Sequence, residues 1–477
     1  MSVSLAELLC REHRPRLLVV GDVMLDRYIW ADGSRLSGDP SEVVLQASKR
    51  EDRLGGAGIV AAMAAALGAE VSVAAVVGGD SAGRRVIRLL EKAHVDARAV
   101  FPMADRRTSV HHRFLSRSQG RSYHSLVRLE RQESRPIDAA TANQLLEAVW
   151  QRLDWADGIL LSDYGKGVCV GGFVPQLVAI AQSAGVPVLV DPARSADYRR
   201  YAGCSCLLPN RLEAGLALGM RIATVEDGLR AAKGLLEFGV GSAAVKLDRD
   251  GIAWAQVGPH SQYFPTRPRQ VYDGTGAGEM VLAALGFAIA SGADWPTGLE
   301  LANLAAGMEV CRLGCAPIHR AELRSELVRL AHPEASRAKI LSMDLLFAEL
   351  SYHRAKSRRI VLIEENFQWL DARYLDSLEF ARSQGDLLIV AVHEGRNAHQ
   401  WECPCQPCFP KPLRARMLAA LACVDYVVVV EEASIRPVIE RIRPDVVVQL
   451  QGHNPANAIS GDWVASYGGR LLSAPAV

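Results

Sequence analysis

Short apolar, β-branched runs alternate with amphipathic stretches along most of this chain. RLLVVGDVML (16–25), VSVAAVVG (71–78), GILLSDY (158–164), VPVLVDP (186–192), CLLPN (206–210) and SAAVKL (242–247) have strand length and continuous apolar character. Between them, GIVAAMAAALG (58–68), FVPQLVAIAQSAG (173–185) and VEDGLRAAKGLLEFG (225–239) read as helices. Continuous apolar strands separated by helices predict a mostly parallel, doubly wound α/β sheet covered on both faces. Residues 27–50 and 105–130 break that rhythm and predict antiparallel hairpins or a small β flap. From Gly276 to about Ala331 the pattern is helical.

After AHPEASRAKILSMDL (331–345) a second alternation begins. RRIVLIEE (358–365), DLLIVAVHE (386–394), VDYVVVVEE (424–432) and DVVVQLQG (445–452) read as strands, with LDSLEFARSQG (375–385) and RARMLAALAC (414–423) as helices. The expected organisation is a first domain over 1–330, a linker over 331–345 and a smaller α/β domain over 346–477. The chain has 477 residues, 22% of them charged, and a formal net charge of +1. That balance predicts neither a nucleic-acid partner nor a membrane-surface protein. No apolar run reaches the roughly 18 residues of a bilayer span, and the first twenty residues lack a signal-peptide pattern. Ten cysteines are too few for a disulfide framework, so a reduced, cytoplasmic protein is expected.

Candidate chemistry concentrates in VYDGTGAGEM (271–280). Glycines at 274, 276 and 278 precede an apolar helix, and free N–H groups at such a helix start favour a phosphate or a developing negative charge. Glu279 beside them could take a proton from a hydroxyl attacking a phosphoryl group. It could equally be an ordinary first-turn acid.

Other segments bear on that choice. VVGDVMLDRY (19–28), RLSG (35–38), RLGGAG (53–58), LSRSQ (115–119), LSDYGKG (161–167) and PNRLE (209–213) accompany the glycine loop in order. Over residues 15–320 the chain resembles the ribokinase-like (phosphofructokinase-B) sugar kinases. More closely, it resembles the bifunctional heptose-7-phosphate kinase/heptose-1-phosphate adenylyltransferases, whose two-domain layout it matches end to end. The resemblance implies a ribokinase-like sheet with a β flap, followed by a smaller Rossmann-like nucleotidyltransferase-type domain. It implies ATP and Mg2+ as cofactors and a sugar phosphate as substrate. It places Asp22, Asp26, Gly55 and Gly56 against the sugar, and Arg117 and Lys166 on the substrate phosphate, where arginine suits bidentate contact. Asn210 and Glu213 match an NxxE element that positions magnesium, usually through water. Lys246, Gly251, Asp273, Gly274 and Asn303 fall where the family lines the ATP site. Gly276, Ala277 and Gly278 would form the anion hole, with Glu279 on the catalytic base. Asp22 and Asp26 could instead end a strand, and Asn210 with Glu213 could be a helix cap.

Two positions depart from the kinase pattern. The family base is Asp where this chain has Glu279, and Ile59 replaces an Asn that contacts the sugar; Ile offers no hydrogen bond. In the C-terminal domain, the HxGH element of nucleotidyltransferases aligns with Asp371, Ala372, Arg373 and Tyr374, so both histidines are gone. A retained fold without adenylyltransferase chemistry is therefore expected. HQWECPCQPC supplies His399, Cys403, Cys405 and Cys408, a donor set that could hold Zn2+ or remain a group of free or redox-sensitive thiols. The expected function is phosphorylation of D-glycero-D-manno-heptose 7-phosphate to the 1,7-bisphosphate, in ADP-heptose synthesis for lipopolysaccharide. The alternative is a non-catalytic paralogue that binds nucleotide or sugar as a scaffold. The flap segments resemble those through which related kinases form homodimers.

Overall fold

The computed structural model describes residues 4–11, 13–32, 45–117, 124–266, 273–312, 314–331, 339–355, 357–365, 372–393, 411–430, 435–449 and 459–474. The chain divides into two compact units, Met1–Arg320 and Ala321–Val477.

In the first unit twelve strands belong to one connected sheet system: β1 (Arg16–Asp32), β2 (Gln46–Gly56), β3 (Glu70–Gly78), β4 (Asp96–Met103), β5 (Val110–Arg117), β6 (His124–Arg131), β7 (Gly158–Ser162), β8 (Val188–Asp191), β9 (Cys206–Leu207), β10 (Ser242–Lys246), β11 (Gly251–Gln256) and β12 (Ser261–Pro265). The main path runs β12-β11-β10-β9-β8-β7-β1-β3-β4. It is parallel except at the β10–β11 and β11–β12 pairs. β1 serves two layers. Its first half, Arg16–Asp22, pairs with β3 and β7. Beyond Asp22 it pairs antiparallel with β2 and parallel with β5, and β5 pairs with β6. This second layer is the flap expected from the broken rhythm at 27–50 and 105–130. The strand outruns its apolar stretch because the flap, not the core, supplies the partners of RYIWAD.

Helices Ala57–Ala66 and Ala277–Ala290 are apolar nearly all round and buried along most of their length, as a helix without a polar face must be. The second lies close on the sheet: a Cβ at Gly286 would come 2.3 Å from Leu160 Cδ2. Another core gathers Leu145, Val149, Phe173, Leu177 and Leu235 with Leu18, Leu161 and Val190. Each such side chain contributes about 1.5–3 kcal/mol on burial, and together they hold rigid the strand ends that carry the site.

The second unit is a six-stranded parallel sheet of β13 (Ile340–Leu341), β14 (Ile360–Glu365), β15 (Leu387–His393), β16 (Tyr426–Val430), β17 (Val446–Gln449) and β18 (Arg470–Ser473), in the order β13-β16-β15-β14-β17-β18. Separate cores cover its faces, one around Leu346, Leu350 and Ile439, the other around Leu378, Ala415 and Leu418. The helix Arg320–Ala331, assigned from sequence to the first domain, lies almost wholly in this unit; Ser325 Oγ donates to Glu349 Oε1 at 2.6 Å. The proposed zinc donors His399, Cys403, Cys405 and Cys408 lie outside the described residues, as do Asp371 and the side chains of Ala372 and Arg373.

Candidate active site

The first unit gathers its polar side chains at the C-terminal ends of its parallel strands, where open α/β sheets bind ligands. Asp22 stands where β1 passes from main sheet to flap, Asp163 just after β7, Asp191 at the end of β8, Asn210 after β9, and Lys246 at the end of β10. Helix Ala277–Ala290 begins above them. Gly276 caps it at φ 103°, a left-handed backbone that disfavours any side chain. Asp273 shapes the approach to this turn. Its Oδ1 accepts the Thr275 amide at 2.9 Å and its Oδ2 the Gly314 amide at 3.0 Å. Asp273 is thus a builder of the loop, while Gly274 beside it is exposed with open space around its Cα.

Glu279 lies in the first turn of that helix, half-buried, and the Tyr164 hydroxyl donates to its Oε1. Burial pushes the Glu279 carboxyl above its ordinary range; the Tyr164 hydrogen bond pulls it down, Asp191 pushes it up, and Lys246 pulls it down again. Lys246 Nζ sits 2.6 Å from Asp191 Oδ1. A Cβ at Gly278 would lie 3.2 Å from Lys246 Nζ and 3.9 Å from Asp191 Oδ2, so the ion pair borders the glycine loop directly. Burial drags the ammonium down, but Asp191 and Glu213 outweigh it and its net shift is upward.

Asn210 and Glu213 form a reciprocal capping box at the start of helix Arg211–Leu218, with bonds of 2.9 and 2.8 Å. Both the cap and a charge role are therefore built into this pair, since Glu213 also faces Lys246 and Asp191; burial raises its carboxyl above the usual range, against the pull of Lys246. Asn303 ties helix Trp295–Glu309 to the end of β12, accepting from Thr266 Oγ1 at 3.0 Å and donating to Pro265 O at 2.9 Å. Gly251, at φ +117°, turns β10 into β11 where a Cβ would meet Phe264 O at 2.0 Å.

The sugar-side residues divide. Asp22 is 2% exposed and gives Oδ2 to the amides of Tyr164 and Lys166, both at 2.9 Å, and Oδ1 to that of Val168 at 3.1 Å. Its carboxylate holds the 163–168 loop; with Asp163, which accepts from Gly165 N, Arg200 and Tyr201, it clamps that segment from two sides. Asp26 sits in the flap beside its register partner His111, whose Nδ1 is 3.2 Å from Oδ1, while Arg113 donates to Oδ2 from Nε and Nη2 at 3.3 Å. Arg113 Nη1 reaches Thr275 Oγ1 at 3.3 Å and so joins flap to glycine loop. Gly55 and Gly56 pair with Met24 and Val23, and a Cβ on Gly56 would stand 2.2 Å from Asp22 O. Lys166 Nζ donates to Gln132 Oε1 at 2.5 Å. Arg117 ends β5, and its side chain lies outside the described residues. Ile59 is buried in helix Ala57–Ala66.

The sequence reading missed Tyr164, Asp191, Arg113 and His111. Asp191 had a signal, since it ends an apolar strand just as Asp22 follows one. Tyr164 stood inside LSDYGKG without attracting a role. A concavity of about 950 Å3 lies elsewhere in the unit, around Arg14, Lys92, Arg98 and Trp155; it holds none of the residues described above.

Residues 14–321 match the family described as pfkB family carbohydrate kinase. The chain belongs to that family. Residues 367–472 match the cytidylyltransferase-like family, giving a kinase unit followed by a cytidylyltransferase-like one. The bifunctional protein HldE of Pelobacter propionicus is 34% identical over 455 residues, 95% of this chain and 92% of that protein. HldE of Geobacter sulfurreducens is 34% identical over 95% of this chain and 91% of its own length. Among solved structures, the ribokinase of Arabidopsis thaliana complexed with ribose and ATP covers 65% of this chain and 98% of its own, at 22% identity and TM-score 0.51. The tetrameric inhibited form of phosphofructokinase-2 from Escherichia coli covers 67% and 100%, at 17% identity and TM-score 0.54. The kinase unit thus has the ribokinase-like fold expected from the motifs. Among the described residues no helix is long and apolar enough to cross a membrane.

Proposed function

We propose that this kinase transfers the γ-phosphoryl group of ATP to D-glycero-D-manno-heptose 7-phosphate, forming the 1,7-bisphosphate on the route to ADP-heptose. One observation carries the reading: a carboxylate, Glu279, stands in the first turn of a helix whose glycine start can take an anion, with Lys246 bordering the same loop. Oε1 of Glu279 is held by Tyr164, which leaves Oε2 to receive the proton of the attacking hydroxyl. The loop amides of residues 276–278 then face the charge that develops on the transferring group. Asp22 acts at one remove, fixing the Tyr164 amide.

Glu279, Asp191 and Glu213 set three carboxylates around the single Lys246 ammonium. Triphosphate entering such a site needs added positive charge, and the acidic side chains suit a hard divalent cation. Asn210 and Glu213 would position Mg2+, directly or through water; when bound it neutralises phosphate charge.

The cytidylyltransferase-like unit is proposed to lack adenylyl transfer. The support is chemical: Asp371, Ala372, Arg373 and Tyr374 stand where two histidines would hold a triphosphate. The flap is proposed to pair two copies of the chain, supported by Leu126 and Leu129 of β6, 46% and 59% exposed; a monomer in sedimentation at working concentration would reject it. For the kinase, ADP release with Mg-ATP and heptose 7-phosphate is the test, and no turnover with that or any other sugar phosphate would refute it. Pyrophosphate release from ATP and heptose 1-phosphate would reject the decay of the second unit. One feature favours the scaffold alternative: Lys246 is already neutralised by Asp191, as it would be in a site that binds without turnover.

A further inference from the structure

Behind the glycine loop lies a carboxyl group that neither the catalytic reading nor the fold accounts for. Glu309, the last residue of helix Trp295–Glu309, is 0% exposed. Among the described residues neither of its carboxyl oxygens meets a partner in hydrogen-bond geometry, although the Ala316 amide exerts a pull on it. A Cβ placed on Gly276 would come 2.5 Å from Glu309 Oε1 and 3.0 Å from Cys315 Sγ, so this side chain packs on the underside of the residue that caps the catalytic helix. The helix pattern puts it there: Ala302, Ala305 and Glu309 share the buried stripe at helical spacing, while Glu300 faces solvent.

We propose that Glu309 is a positioning residue for phosphoryl transfer: uncharged, it supports the anion loop from behind, and ionised it opposes the negative charge that the loop must receive. This rests on the kinase reading above. The charged and titratable groups facing Glu309 are Glu279 and Asp273 from the loop and helix start, Arg312 from the turn that follows, and the Cys315 thiol. Two of the three charged neighbours are acids. Burial first, with Glu279 and Asp273 adding to it against Ala316 and Arg312, raises the carboxyl to about 8. At neutral pH the group therefore holds its proton, and Glu309 adds no negative charge beneath an anion bound at the loop. Above that range the carboxylate forms beneath the loop, in an apolar setting where charge is poorly screened.

The test is the pH dependence of kcat for the full-length wild type and for Glu309→Gln, which is neutral at every pH. Wild-type kcat should fall on the alkaline side, by roughly tenfold one unit above the midpoint. Glu309→Gln should keep neutral-pH activity within about threefold and lose less than about twofold over the same alkaline range, because its amide has no proton to give up. Glu309→Asp should retain an alkaline fall. An identical alkaline limb in wild type and Glu309→Gln, or no limb in the wild type, would overturn the assignment. If the glutamine variant does not fold, the infrared spectrum of the wild type decides: a protonated-carboxyl band present at pH 6.5 and lost by pH 9.5 is expected, and its absence at pH 6.5 overturns the proposal. A wild type inactive at every pH, despite that band, would instead reject the kinase reading and the positioning role with it.

Discussion

Replacing Tyr164 with Phe removes one hydroxyl and leaves the ring. That hydroxyl donates to Glu279 Oε1, and it is the largest influence holding the carboxyl down against burial. A hydrogen bond to a charged acceptor contributes about 1.5–3 kcal/mol. Its loss weakens the ionised form by that amount, roughly 10- to 100-fold in the protonation equilibrium, and raises the Glu279 carboxyl further. The sign follows from the proposed role: the base works ionised, so a carboxyl already raised by burial and raised further by the substitution stays protonated to higher pH. The acidic limb of the kcat profile should therefore move to higher pH. Below both midpoints kcat should drop by roughly 10- to 100-fold, and on the plateau it should change by less than about threefold. KM for ATP should hold, because Tyr164 touches the base and not the ion pair at Gly278. Initial rates of ADP formation between pH 5 and 9 measure all of this. An acidic limb that stays in place would show that Glu279 is not the group whose ionisation gates the reaction.

Four other substitutions probe the same site. Gly276→Ala forces a side chain into a φ of 103° and against Glu309 Oε1 at 2.5 Å; a loop displaced by an ångström should cost on the order of 10²-fold in kcat, with the fold retained by circular dichroism. Asp22→Asn keeps one acceptor where three amides are now served, so urea unfolding should show a loss of about 2–4 kcal/mol, and an unchanged midpoint would contradict the clamp. Glu279→Gln should lower kcat by about 10²–10⁴-fold with little change in KM for ATP. Glu279→Asp, one methylene shorter, should leave Tyr164 behind and fall by about 10²-fold; a gain in activity would mean that the glutamate is a detuned base.

The parallel core was legible because strands buried on both faces must be apolar throughout, and each of the six runs picked out in the first unit contains a strand of the main sheet. The continuation of β1 into RYIWAD was not, since Arg27 and Asp32 carry no apolar signal and only pairing with β2 and β5 makes them strand. The glycine loop was legible as a helix start because its glycines run straight into an apolar helix, which Gly276 caps. Asp22 was harder. Its oxygens bind amides about 140 residues away, and nothing in VVGDVMLDRY reveals whether a carboxylate faces ligand or backbone. Glu309 was within reach of the pattern, a lone acid on the buried stripe of LELANLAAGMEV, but helical spacing says only that it is inside, not what it lies against.

An anion-binding loop with a glutamate at its mouth looks self-defeating until the two glutamates are compared. Glu279 lies in the first turn of the helix that Gly276 caps, and Glu309 packs against Gly276 itself. Glu279 has a phenolic donor and a nearby ammonium, both of which favour its charged form. Glu309 has neither, and burial keeps its proton on. On the proposed mechanism one side-chain type thus serves in two charge states beside one loop because of what surrounds it, the arrangement by which paired carboxyls divide acid and base roles. The longer arm of Glu279 fits the same logic. Ordering a whole glutamate side chain costs up to about 2 kcal/mol, and a hydrogen bond of about 1.5–3 kcal/mol to the carboxylate is enough to offset it. Tyr164 supplies that bond from a loop that Asp22 has already tied down. The position of the proposed base therefore depends on a chain of contacts running from β1 through the 163–168 loop to helix Ala277–Ala290, and a substitution at any link should register at Glu279.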